Sequence, residues 1–345
     1  MKKYSSRLGT LGLRALMALT IFLMTGMPLN ASEPTRIRAG HFATITHAPA
    51  LLGRATGDLD KALSPIPIVW KRFNAGPSAL EALFAGELDI LYVGPNPAIL
   101  GYVRSHGDAL RIIAGVANGG SALVVHKRSG IHSVRDLAGR RLATPQIGNS
   151  QDVALRYLLV SQGLKERSFG GDVSIFNLSG GDQITALERR HIDGVWAVEP
   201  WITRLLHEAD GEILIDEKTL WASGVYPTAV LIASRTFLEA YPELAAKWVD
   251  AHRAVIRMLQ ESPDKALPLV NTELKLLTGK ELPLNYLKEA MSRIVFSPEI
   301  PFSALLESVK RTAAVGFFSG PVPSPESMID TRFLQTFTKE SASRT

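Results

Sequence analysis

The chain has 345 residues, of which 46% are hydrophobic and 21% charged, with a formal net charge of +5 and no cysteine. That length leaves room for two domains of ordinary size. The lack of cysteine excludes disulfides, thiolate metal sites, cysteine catalysis and a lipid anchor on cysteine. Lys2, Lys3, Arg7 and Arg14 lie in an acid-free first 31 residues, and subtracting these four charges leaves +1 downstream, which gives no reason to invoke nucleic acid or an anionic membrane.

Those four residues form a basic segment ahead of an apolar run over 15–29, and Leu29-Asn30-Ala31 offers a cleavage tripeptide ending in a small residue. The pattern predicts a cleaved secretory signal over 1–31 and an exported chain. The apolar run falls short of the roughly 20 residues that a spanning helix needs.

After the signal, 36–40 reads as a first strand, followed by a polar-aromatic loop over 41–49 from which Thr46 or His47 opens a helix. A second strand occupies 66–73. Ser78 and Glu81 have capping-box spacing and predict a helix start at Ser78, ended by Gly86. Residues 88–93 read as a buried strand. Gly94-Pro95-Asn96-Pro97 then turns the chain, with Asn96 as N-cap and Pro97 at the first helical position. Strands follow over 110–116 and 122–126, separated by Gly119-Gly120-Ser121. A short helix leads into a strand within 134–144, Pro145 to Asn149 form a turn, and Ser150 caps a helix over 152–162. A strand over 172–178 precedes Ser179-Gly180-Gly181, with Asp182 as the next N-cap. Strand 194–198 leads into a helix over 201–209, and 212–215 and 225–233 are extended. Beyond Ser234 the pattern is helical over 237–259, 263–269, 284–292 and 303–315, and the Pro- and Ser-rich tail after Gly320 is expected to be loosely attached.

One unit recurs. Ala82-Leu83 precedes Asp89, an apolar run and a Pro-bearing turn; Ala186-Leu187 precedes Asp193, an apolar run and Glu199-Pro200-Trp201, at the same Ala-Leu to Asp spacing. The repeat suggests two lobes with matching edges. Alternating strands and helices predict parallel α/β sheets. Runs 120–126 and 225–233 bracket an α/β segment and read as two strands that cross between lobes. The division drawn is lobe one over 32–123 and 230–340 and lobe two over 124–229. Ligands of open α/β sheets bind at the carboxyl ends of strands, here the loops at 42–47, 74–78, 94–97, 119–121, 145–150, 179–182 and 199–201. These loops are rich in Ser, Thr, Asn, Gln and Gly and carry no cluster of carboxylates. Helix starts at that edge, with free N–H groups and positive dipole ends, suit an anion.

Other chemistries are poorly supported. His41 and His47 lack the i, i+4 spacing of a helical metal site, no nucleophile elbow or phosphate loop occurs, and no cofactor is implied. Glu199 either binds an amine or amide or caps the helix at Trp201, whose ring can stack on or wall off a ligand.

The segments FNAGPSALEALFAGELDI, YVGPNPAI, TPQIGNSQDVALRYLL and DGVWAVEPW resemble, in this order, the periplasmic substrate-binding proteins of nitrate, sulfonate and taurine ABC importers. The resemblance covers roughly 35–320. It implies an α/β, two-lobe periplasmic binding protein fold of type II, a Venus flytrap with two crossover hinge strands, acting without catalysis. It also implies a small-molecule ligand, an oxyanion held by backbone N–H groups and hydroxyls at helix starts, and an ABC permease as partner. Carried onto this sequence, the resemblance suggests Thr44, His47, Gly76, Pro77, Ser78, Asn96 and Ser121 from lobe one. From lobe two it suggests Gln146, Asn149, Ser150, Asp182, Glu199 and Trp201, with Tyr226 and Thr228 at the return strand. A phosphonate or a thiamine-precursor pyrimidine is the alternative ligand. An enzyme on the same fold, with His47 and Glu199 as an acid–base pair, is the rival from another class.

Overall fold

A computed structural model describes residues 33–334, and the signal expected over 1–31 lies outside them. Among the described residues, no helix is long and apolar enough to cross a membrane. The strands are β1 (Ile37–Phe42), β2 (Ile68–Phe73), β3 (Ile90–Val93), β4 (Leu110–Gly119), β5 (Ser121–His126) and β6 (Arg141–Thr144), then β7 (Ser174–Asn177), β8 (Gly194–Val198), β9 (Gly211–Asp216), β10 (Pro227–Ser234) and β11 (Ile294–Phe296). They form two sheets, one of order β11-β4-β10-β3-β1-β2 and one of order β7-β6-β8-β5-β9.

The helices are α1 (Ala48–Thr56), α2 (Asp58–Leu63), α3 (Gly76–Phe84), α4 (Pro95–Arg104), α5 (Ser150–Ser161), α6 (Gly180–Glu188) and α7 (Trp201–Glu208). Then come α8 (Arg235–Ala240), α9 (Pro242–Glu261), α10 (Pro263–Thr278), α11 (Leu284–Ser292), α12 (Phe302–Ala314) and α13 (Pro325–Met328). Each sheet buries both faces, with alternate side chains pointing to opposite sides. Ile90 and Tyr92 enter the core with α1, α9 and α10, while Leu91 and Val93 enter the core with α3, α4 and α12. In the second sheet Ala122 and Val124 take one face and Leu123 and Val125 the other.

The sheets are mixed, which corrects the expectation of parallel sheets. β1 pairs in parallel with β2 and β3, and β6 with β7 and β8. β10 is antiparallel to both β3 and β4, and β5 to both β8 and β9. The exceptions follow from the crossovers. A strand that arrives from the other lobe enters at the carboxyl edge of the sheet and so runs against its neighbours. β5 begins at Ser121 and β10 at Pro227, so the dividing points drawn from sequence, 123/124 and 229/230, fall inside these two strands. β11, which pairs with β4, gave no sequence signal. The tail after Gly320 is held more firmly than expected: Met328, Ile329 and Phe333 are buried, and Ile329 bridges to Ile112.

The recurring unit has the same hydrogen bonds in both lobes. Asp89 accepts from the Arg38 backbone N–H at 2.7 Å and from Nε at 2.9 Å, and returns its own N–H to the Arg38 carbonyl at 2.8 Å. Asp193 accepts from the Arg141 N–H at 2.8 Å and Nε at 3.2 Å, and returns its N–H at 2.7 Å. Each clamp fixes a central strand, β3 or β8, against its parallel neighbour, β1 or β6, and so sets where the next helix starts.

Candidate functional site

The carboxyl ends of both sheets meet around one cavity of about 60 Å3. The first lobe contributes Phe42, Thr44, Thr46 and His47 after β1, Asn74 after β2, Gly94 after β3, and Thr228 on the return strand. The second contributes Pro145, Asn149, Ser150 and Gln151 after β6, Gly180 and Gln183 after β7, and Val198 and Trp201 at the end of β8. α4, α5, α6 and α7 all begin at this edge. The lining holds no carboxylate, lysine or arginine.

His47 is buried, and its ring stacks on Phe42 with centroids 4.5 Å apart. Its Nδ1 accepts the Phe42 backbone N–H at 3.1 Å, which assigns the ring proton to Nε2. Burial drives its pKa down to about 3, so at neutral pH it is an uncharged donor. The hydroxyls of Thr44 and Thr46 share a hydrogen bond of 3.0 Å. Thr228 donates to the Ala117 carbonyl at 3.1 Å and Gln183 to the Leu178 carbonyl at 2.9 Å. Gln151 is only 6% exposed, and its side-chain amide makes no hydrogen bond among the described residues.

Glycine stands at three of the helix starts because a neighbouring side chain comes too close for a Cβ, from the same lobe at Gly180 and Gly76 and from the opposite lobe at Gly94. A Cβ on Gly180 would lie 2.1 Å from Trp201 Cε2, and one on Gly94 would lie 2.7 Å from Ser150 Oγ. A Cβ on Gly76 would lie 2.3 Å from Pro97 Cγ. Two helix starts of the first lobe are met by side chains of the second. The Gly76 N–H donates to Asn149 Oδ1 at 2.9 Å, and the Asn96 N–H to Ser150 Oγ at 3.4 Å.

Of the residues suggested by sequence, the structure brings Thr44, His47, Asn149, Ser150, Trp201 and Thr228 onto the cavity wall. The others stand off it, each for a definable reason. α3 starts at Gly76, so Gly76 is occupied by Asn149, Pro77 sits in the first turn, and Ser78 is exposed and donates to the Ala75 carbonyl at 2.9 Å. The expected Ser78–Glu81 capping box is therefore not formed. α4 starts at Pro95 with Gly94 as N-cap, and the Asn96 amide donates to Thr312 at 2.8 Å. Gln146 lends its carbonyl to the Asn149 N–H at 3.1 Å. Asp182 lies inside α6, exposed, and bonds to Ser179, the N-cap residue.

Ser121 and Tyr226 are consumed at the crossovers: the Ser121 N–H donates to the Tyr226 hydroxyl at 3.1 Å, and Trp196 Nε1 donates to Ser121 Oγ at 3.1 Å. Glu199 is fully buried and faces away from the cavity. It accepts from the Thr203 N–H and hydroxyl, both at 3.1 Å, and from Arg293 of the first lobe at 2.8 Å. Burial pushes its carboxyl pKa up, and these donors pull part of the way back. His47 and Glu199 thus answer to different partners and do not form the acid–base pair weighed above.

Sequence reasoning missed Phe42, Thr46, Asn74, Gly94, Pro145 and Gly180 as individual residues, although all lie in the strand-end loops. Val198 closes its own strand. Gln151 and Gln183 sit in the first turns of helices whose true starts lay two and three residues earlier than expected.

Two α/β lobes, two crossover connections and a cavity at the facing strand ends define a type II periplasmic binding protein fold. Solved structures agree. The alkanesulfonate-binding protein SsuA from Xanthomonas axonopodis pv. citri bound to MOPS superposes with a TM-score of 0.72 at 20% identity, over 86% of this chain and 99% of that one. The periplasmic nitrate-binding protein NrtA from Synechocystis PCC 6803 gives 0.72 at 14% identity, over 90% of each. The chain belongs to the NMT1-like family, which it matches over residues 30–269. Among characterised sequences, the taurine-binding periplasmic protein of Escherichia coli K12 is 29% identical over 212 residues, 60% of this chain and 63% of that protein. The chain therefore spans less than two thirds of the length of that relative.

Proposed function

We propose that this chain is the extracytoplasmic receptor of an ABC importer, binding a small anion of the sulfonate, taurine or nitrate class between its lobes and delivering it to a membrane permease. The observation that carries the reading is one cavity at the strand ends of both lobes, walled by neutral donors and met by the first turns of three helices of the second lobe. Each helix terminus offers unpaired N–H groups and about half a positive charge, enough to hold an oxyanion without a cationic side chain. No bond is made or broken: the lobes close on the ligand about the Gly119–Ser121 and 217–227 connections, and the permease reads the closed form. On this reading the body divides into lobe one, 32–123 and 230–340, and lobe two, 124–229, with export to the periplasm directed by the signal over 1–31.

The test is a thermal-shift screen of the purified chain against nitrate, alkanesulfonates, taurine, phosphonates and pyrimidines. A bound anion at a hundred times its Kd stabilises by about 2.7 kcal/mol. A shift with pyrimidines alone would keep a receptor and overturn the anion class. Chemical change of any solute would overturn the receptor.

A further inference from the structure

We infer, on the receptor reading, that this cavity selects a compact monoanion with a short apolar tail, such as a short alkanesulfonate, and rejects both zwitterions and dianions. The cavity of about 60 Å3 is small beside ligand pockets of about 300–1,000 Å3. It therefore suits a head group with one or two carbons.

The donors are of one kind. α5, α6 and α7, of 12, 9 and 8 residues, point their first turns at the cavity. Two largely buried side chains on the cavity wall have polar groups left to meet a solute. Gln151 is unpartnered at 6% exposure, and His47, at 2%, has Nδ1 occupied and its Nε2–H left to give. Both face the cavity, where each has an N–H to give to an acceptor. The apolar wall of Phe42, Val198 and Trp201 suits a short alkyl tail.

The charges near the site are already spent. Asp152 is held by Thr144, Gly148 and Arg156, at 3.1, 3.0 and 2.9 Å. Glu199 is held by Thr203 and Arg293. An ammonium entering the cavity would lose its water and find no carboxylate among the lining residues, which is costly for a buried charge. Positive charge is equally scarce. Arg204, over the Trp201 ring, is tied to Glu208 by two bonds of 2.9 and 2.8 Å. Helix termini with partial charges offset about one negative charge, and a second would stand unpaired.

The experiment is titration calorimetry of the purified chain with ethanesulfonate, taurine and sulfate at pH 7.5. Ethanesulfonate and taurine differ only by the ammonium group. Ethanesulfonate is expected to bind at least tenfold more tightly than either of the others. Asn74→Asp places a carboxylate on the wall at an exposed position with little change of shape, and is expected to shift the taurine to ethanesulfonate ratio at least tenfold toward taurine. Taurine binding as tightly as ethanesulfonate in the unaltered chain, or an unmoved ratio in the variant, would overturn the selectivity and leave the receptor standing. Failure of all three, and of nitrate, to bind would overturn the receptor reading with it.

Discussion

Arg293→Met tests whether the contact between Glu199 and Arg293 belongs to lobe closure. Arg293 follows α11 in the first lobe, and its Nη1 meets Glu199 Oε1 of the second lobe at 2.8 Å, with the glutamate side chain at 0% exposure. Removing one partner of a buried pair costs roughly 3–5 kcal/mol. Glu199 keeps two hydrogen bonds from Thr203, and the arginine side chain is 24% exposed. A loss of about 2–3 kcal/mol is therefore expected. Neither residue lines the cavity, and a contact made only on closure places that loss on the closed form, weakening anion binding by roughly 30- to 140-fold. The double variant Glu199→Gln/Arg293→Met removes the stranded charge while leaving an acceptor for Thr203, and should recover at least half of the loss. Calorimetric affinities of the two variants decide the matter. Unchanged affinity with a lowered unfolding midpoint in the ligand-free protein would show that the pair supports the fold rather than closure.

Other consequences follow from the same contacts. His41, His47 and His252 are held neutral by burial, with pKa values lowered from 6.5 to about 4, 3 and 4. The unfolded chain binds more protons below pH 6.5, so stability is full above that value and falls as the pH drops toward 4; at pH 5 each histidine costs about 2 kcal/mol. A urea midpoint that stays flat from pH 7.5 to 5 would refute this. Gly180→Ala forces the Trp201 ring to move and should weaken anion binding more than tenfold, with circular dichroism unchanged; wild-type affinity would disprove that close approach. Asp89→Asn and Asp193→Asn should each lower stability by about 1–3 kcal/mol, measured by urea unfolding, and widely unequal losses would argue against the equivalence of the two clamps.

Much of the frame was legible because it rests on periodicity and spacing. The Asp89 and Asp193 spacing pointed to two matching halves, and the clamps on Arg38 and Arg141 give it a physical cause. The strand-end loops were legible for the same reason. Individual site residues were less so. Ser78, Asn96 and Asp182 look like N-caps, yet each helix begins earlier, at Gly76, Pro95 and Gly180. Gly76 and Gly180 are packed against Pro97 and Trp201 from the next helix start of the same lobe, and a tertiary contact of that kind has no local signature. Glu199 illustrates the other limit. A carboxylate beside a Pro-Trp turn reads as a ligand group until its partner is seen, and Arg293 lies far along the chain.

The two lobes are built alike but do not offer the cavity the same chemistry. At α3 and α4, Pro77, Pro95 and Pro97 have no N–H to give, and the Gly76 and Asn96 amides are taken by Asn149 and Ser150. The first lobe's helix starts thus face the second lobe's side chains rather than a ligand, leaving His47 and the threonines as its donors. At α6 the first turn opens with Gly180 and Gly181, whose amides donate to no side chain among the described residues. The two similar units thus differ in use: one unit's helix starts face the other lobe's side chains, while the other's carry no such contact. For the proposed receptor this asymmetry gives an order of events, in which the anion settles first on the second lobe and Asn149 and Ser150 dock onto the first lobe only as the cleft shuts.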